Sequence, residues 1–127
     1  MNLVAIVIGL ALIEYFVFGI LVGRARQTYG VAAPAMSGHP VFERYMRVHQ
    51  NTLEQLAIFV PAMVMFGVYV SGSIGALLGL VWIVGRVLYL RGYVDDPAKR
   101  STGFALTALP QLILLLGGIV GALLATH

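Results

Sequence analysis

Cysteine is absent from the chain. That excludes a disulfide framework, a thiolate metal site and a cysteine nucleophile, so any thiol chemistry has to use the sulfur of another molecule. Charge is scarce as well. Only 10% of the 127 residues are Asp, Glu, Lys or Arg, against about a quarter in a soluble domain. Disordered segments and nucleic-acid-binding domains both need many more charges, so neither class fits and no nucleic-acid partner is expected. Also missing are a P-loop, a Rossmann fingerprint and a Ser/His/Asp arrangement. The residues that fill the space are apolar: 60% are hydrophobic and the mean hydropathy is +0.93. The net charge of +3 and the pI of 9.6 rest on eight Lys and Arg. Where those eight sit matters more than their sum.

A membrane-spanning helix needs about 20 mostly apolar residues, and four stretches qualify. The first runs from Leu3 to Gly23 and is interrupted only by Glu14. It lacks a positive n-region and exceeds the usual apolar run of a signal peptide, so it reads as a span. The second, Leu53 to Val70, follows a polar lead-in from Phe42 to Asn51, which together predict one long helix. The third, Ser73 to Tyr93, carries Arg86 and Arg91 near its end, and the fourth, Thr102 to Ala125, has no charge. The expectation is an all-α integral membrane four-helix bundle, a single domain over 1–127 with helices at about 2–28, 42–70, 73–94 and 97–126.

The breakers set the connections. Tyr29 to Pro40 is rich in Gly and Pro and reads as a loop, and Val70 to Gly75 as a tight turn. Asp96 is placed to cap a new helix with Pro97 at its first position. Pro61 and Pro110 fall inside spans, where kinks are tolerated. All eight cations (Arg24, Arg26, Arg44, Arg47, Arg86, Arg91, Lys99 and Arg100) lie at or near the side of the loops after spans one and three. The positive-inside rule then puts those loops in the cytoplasm and both termini on the opposite side.

Spacing singles out a few polar groups. Arg47, Asn51 and Glu54 fall within about 60° of one another on a helix, with Glu43 and Gln50 on the same side. An ionisable group as deep as Glu54 is costly against lipid, so it should face the interior or a subunit interface. An internal ion pair and a ligand site explain it equally well. Arg86, Tyr89 and Tyr93 share a face at i, i+3 and i+7; the tyrosines alone suit an aromatic belt, whereas Arg86 inside the apolar run points towards function. Arg100 and Lys99 follow the Asp-Asp-Pro break, where cations oppose the helix dipole and add to an anion-attracting site. His39, in the Gly-Pro loop, and His127 read as solvated, while His49 lies beside the Arg47 and Asn51 face. No His or Cys stands at metal-ligand spacing, so no metal is expected. Converging arginines, an amide, a carboxylate and two phenols suit a small anionic or zwitterionic ligand.

The segments VGRARQTYG, FERYMRVHQNTLEQLAIFVP and RVLYLRGY resemble the MAPEG family, the membrane-associated proteins in eicosanoid and glutathione metabolism. The likeness runs from the first span to the fourth, and its R-x-x-x-N-x-x-E and R-x-x-Y-x-x-x-Y patterns are specific. It implies a homotrimer with glutathione bound between subunits near the cytosolic face. By position, Arg26, Arg47, His49, Asn51, Glu54, Tyr89 and Tyr93 are implied glutathione-binding residues. Arg100 is the implied catalytic residue, since a cation beside the thiol lowers its pKa and supplies the nucleophile at neutral pH. A hydrophobic second substrate, either an electrophile or a lipid hydroperoxide, would arrive from the bilayer. Gln27, Gln55 and His49 depart from the family's leukotriene-forming branch and favour general conjugation or peroxidase chemistry, in a bacterial inner-membrane member. The rivals are a non-catalytic lipid-binding protein resembling the 5-lipoxygenase-activating protein and a transporter-like bundle whose charges pair internally.

Overall fold

A computed structural model describes residues 1–126, so His127 lies outside the described residues. Four helices succeed one another: α1 (Asn2–Tyr29), α2 (Pro40–Tyr69), α3 (Gly72–Asp95) and α4 (Ser101–Ala125), with a 3-10 turn at Pro97–Arg100 before α4. At 1.5 Å per residue, α2 is about 45 Å long, more than the roughly 30 Å hydrocarbon core. One end of it therefore projects into water or headgroups. All four helices are long and apolar enough to cross a membrane.

The helix ends show why the chain breaks where it does. Gly30 closes α1 in the left-handed conformation with φ 69°, which glycine adopts without strain. α2 starts two residues before the expected point, because His39 is its N-cap. The His39 Nδ1 accepts the Val41 N–H at 3.1 Å, Pro40 takes the first helical position, and the imidazole stacks on Tyr29 at 4.2 Å. His39 is thus a structural cap rather than a solvated loop residue. Ser71 Oγ accepts the Ile74 N–H to open α3. Asp96 acts as a cap too, accepting the Ala98 N–H at 3.1 Å. The element it caps is the 3-10 turn, so Arg100 precedes α4 instead of sitting in its first turn.

Helices α2 and α3 pack on each other, and each also contacts α1 and α4. The core is centred on Phe59 stacked on Trp82 at 4.1 Å, with Met63, Phe66, Val7 and Leu114 around them. Glycines admit the close approaches: a Cβ on Gly85 would meet the Leu106 backbone at 2.7 Å, and one on Gly103 would collide with the Tyr89 backbone. Outside, the surface is apolar on every helix, with Phe16 70%, Leu77 62% and Leu124 71% exposed. Exposure on that scale is sustainable only against lipid or other copies of the chain.

Met1 lies against Gly67 and Gly72, so the N-terminus and the α2–α3 turn share one end of the bundle. The α1–α2 loop and the Asp95–Arg100 segment share the other. There Arg44 of α2 donates from Nη1 to the carbonyls of Val94 (2.9 Å) and Asp95 (3.2 Å), closing the end of α3. Seven of the eight cations belong to this end. Arg86 does not: it is fully buried, about 13 Å along α3 from Asp95.

Candidate functional site

At the basic end, α2, α3 and the 3-10 turn surround a cavity of about 630 Å³ lined by Arg47, Gln50, Asn51, Leu53, Glu54, Tyr89, Tyr93 and Arg100. Its volume lies within the range of small-molecule sites. The helical period accounts for α2's share, since Arg47, Asn51 and Glu54 project from one face. Tyr89 and Tyr93 stand one turn apart on α3, their rings 5.6 Å between centroids. Gly103 lets the start of α4 press on the backbone of Tyr89, and Gly92 does the same for the carbonyl of Lys99. Those two contacts bring the turn bearing Arg100 against the tyrosines. Arg100 Nη1 donates to the Pro97 carbonyl at 2.9 Å, which steadies the side chain at the rim.

The charges in this cavity are not used up internally. Arg47, Glu54 and Arg100 are exposed, and among the described residues the sole ion pair is Lys99 with Asp95, at 2.7 Å on the surface. The internal ion pair considered for Glu54 does not form. A carboxylate and two guanidiniums therefore face one volume with free hydrogen-bonding capacity, an arrangement that can hold a zwitterion carrying more than one carboxylate.

Three residues stand apart from the cavity walls. Arg86 is beneath the cavity, not on its wall. It donates from Nη2 to Asn51 Oδ1 at 2.9 Å and to Thr52 Oγ1 at 2.8 Å, with its guanidinium 4.4 Å from the Tyr89 ring centroid. His49 points the other way from Arg47 and Asn51, because two residues along a helix is a rotation of about 200°. It stacks on Tyr15 at 4.4 Å and lines an apolar groove of about 390 Å³ with Leu12, Phe16, Gly19 and Ile20 of α1. Arg26 donates to the Ala35 carbonyl at 2.6 Å and lies over the Phe42 ring. Within one chain, then, Arg47, Asn51, Glu54, Tyr89, Tyr93 and Arg100 come together, and Arg26 and His49 do not join them.

A polar relay escaped the sequence reading. Trp82 Nε1 donates to Gln111 Oε1 at 3.0 Å, and Gln111 Nε2 donates to Gln55 Oε1 at 2.9 Å. Both glutamines line an apolar groove of about 290 Å³ with Ile58, Phe104, Ala108, Leu112 and Leu115. Among the described residues, no group of three or more His, Asp or Glu is placed to hold a metal ion.

Comparison with known proteins bears on this geometry. The MAPEG family matches residues 4–120. The chain belongs to the MAPEG family. Like this family's membrane proteins it is an all-α, multi-pass chain. A protein of Synechocystis sp. that is itself uncharacterized is 47% identical over 119 residues, 94% of this chain and 87% of its own length. Microsomal glutathione S-transferase 2 of Homo sapiens is 43% identical over 103 residues, 80% of this MAPEG chain and 70% of its own. Leukotriene C4 synthase of Cavia porcellus is 31% identical over 116 residues, covering 91% and 76% respectively.

Proposed function

We propose that this MAPEG chain is a membrane-bound glutathione transferase, with peroxidase capability, that activates the glutathione thiol for attack on apolar electrophiles or lipid hydroperoxides. The observation that carries the reading is the convergence of free Arg47, Glu54 and Arg100 with Asn51, Tyr89 and Tyr93 on one cavity of about 630 Å³. The similarity to proteins named microsomal glutathione S-transferase supports it. Arg47 takes a carboxylate of the tripeptide, Glu54 its ammonium group, and Asn51 and the tyrosines its amides. Arg100 stabilises the thiolate. The thiol proton leaves to water, and the sulfur then attacks the electrophile as its leaving group departs.

Arg26 and His49 enter this reading through assembly. They lie on a different side of the chain from the cavity, as a head-to-tail interface requires: one copy offers Arg47 to Arg100 and the next offers Arg26 and His49. Such a heterologous contact makes a ring when its rotation closes, and a three-fold rotation gives the homotrimer of this reading. The apolar grooves beside His49 and beside Gln55 would then lead a hydrophobic second substrate from the bilayer towards the sulfur. The basic end faces the cytoplasm, with both termini opposite, in a bacterial inner membrane serving detoxification. The rival, a non-catalytic lipid-binding protein resembling the 5-lipoxygenase-activating protein, draws on the same grooves but gives the free charges of the cavity no task.

Turnover of purified protein with glutathione and a generic aryl halide, or a lipid hydroperoxide, tests the reading, with native mass spectrometry giving the subunit count. Conjugate formation by a trimer is the expected result. Glutathione-independent lipid binding with no turnover would support the rival, and a subunit count other than three would overturn the shared site.

A further inference from the structure

Below the cavity lies a second polar cluster, to which the chemistry proposed above gives no part. Arg86 is 0% exposed, and Glu14, on the inward stripe of α1 with Val7, Ala11 and Phe18, is 8% exposed. Glu14 is about 18 Å from the start of α1 and about 22 Å from its end, which is mid-membrane depth. Both of its carboxyl oxygens are buried without a hydrogen-bond partner, and so are Nε and Nη1 of Arg86. The two side chains make no direct contact, yet they stand at one level: Val7 of α1 packs on Gly79 of α3, both helices run towards the basic end, and seven residues further on Glu14 comes beside Arg86.

A guanidinium stays charged in a protein and carries five N–H donors. Here two neutral oxygens, Asn51 Oδ1 and Thr52 Oγ1, take Nη2, and the rings of Tyr89 (4.4 Å) and Trp82 (5.9 Å) give cation–π contact. Neither contact serves Nε or Nη1. Leaving buried polar atoms unmatched is costly, and more so when they are charged. Two orphan acceptors on Glu14 and two orphan donors on Arg86 can supply the 2–4 polar partners that a buried water needs.

We infer that Glu14 and Arg86, bridged by water sealed between α1 and α3, form a positioning unit that fixes Asn51 and Tyr89 at the floor of the cavity. The link is geometric. Arg86 accepts nothing, so by donating to Asn51 Oδ1 it fixes which end of the amide faces the cavity: the Nδ2 donor is left for a ligand carbonyl or carboxylate. Thr52 is locked in turn, its hydroxyl donating to the Val48 carbonyl at 2.7 Å while its oxygen accepts from Arg86. Tyr89 rests with its ring on the guanidinium. Glu14 and the bridging water hold the far side of Arg86, tying α1 to a site otherwise built from α2, α3 and the turn. Glu14 touches no ligand and acts only through Arg86.

This rests on the transferase reading for one of its two readouts. In full-length protein, Glu14→Gln is expected to raise the KM for glutathione about ten-fold while kcat stays within about two-fold, the scale of one loosened polar contact. Arg86→Met should raise it at least as much, and Arg86→Lys should recover part of the loss. Glu14→Gln combined with Arg86→Lys should be no worse than the weaker of the two alone. Additive effects, or an unchanged KM in Glu14→Gln, would overturn the unit. The second readout needs no glutathione: the infrared band of the Glu14 carboxyl, identified by its loss in Glu14→Gln, should shift in Arg86→Lys and in heavy water. A band indifferent to Arg86→Lys overturns the inference even if the enzyme turns over. A shifting band in a protein that never binds glutathione sinks the transferase reading and leaves the pair standing. Should Glu14→Gln fail to assemble, Glu14→Asp, which pulls the carboxyl back by one methylene, is expected to shift the Arg86-sensitive band and raise KM in the same direction.

Discussion

Two polar clusters lie one above the other in the bundle, and each sets arginine and glutamate side by side. The upper one, Arg47, Glu54 and Arg100, is exposed and free of internal ion pairs. The lower one, Arg86 with Thr52 and Glu14, is buried. An exposed charge with spare hydrogen-bonding capacity stabilises little, but it can bind. A buried charge must be matched by side chains or by water held in the fold, and once matched it organises its neighbours. Asn51 belongs to both, with its oxygen accepting from Arg86 and its side chain among those that line the cavity. Depth in the bundle thus decides which charges stay open to a ligand and which are enclosed by the fold.

Substitutions should separate the clusters by their effects. Removing the buried cation has the largest consequence for stability: Arg86→Met leaves Glu14 uncompensated and should cost about 3–5 kcal/mol, read as a drop in the detergent-solution unfolding midpoint. Next comes Gly103→Ala. Its Cβ collides with the Tyr89 backbone, so α4 and the Arg100 turn must shift, with about 1–3 kcal/mol lost and turnover reduced further than stability alone explains. In the upper cluster the signs reverse. Arg47→Ala should weaken glutathione binding by about 10- to 100-fold, the worth of a charge-assisted hydrogen bond, and leave the unfolding midpoint in place. Lys99→Ala removes the surface pair with Asp95 and should change neither binding nor midpoint measurably.

How much of this was legible in the sequence depends on the range of the interactions. Hydropathy found the four spans, since lipid exposure acts locally. The α2 face was equally readable, because Arg47, Asn51 and Glu54 are related by helical rotation alone. The same rotation should have separated His49, two residues from each of Arg47 and Asn51, and proximity in sequence concealed it. Arg86 was correctly grouped with Tyr89 and Tyr93, but its burial depends on Asn51 and Thr52 from another helix. The Trp82, Gln111 and Gln55 relay and the Arg44 cap on α3 join positions far apart in the chain, and no local pattern announces them. His39 read as a loop residue, since histidine is not among the usual N-caps.

The central claim is that the open cluster activates a thiol, with Arg100 as the stabilising cation. It is tested most directly by titrating purified protein with glutathione at neutral pH and following thiolate ultraviolet absorbance, wild type beside Arg100→Ala. The account predicts a saturable thiolate signal in the wild type, and in Arg100→Ala a comparable affinity with the signal largely gone. Full thiolate signal in Arg100→Ala would contradict the role given to that residue, and no saturable binding in the wild type would contradict the account as a whole.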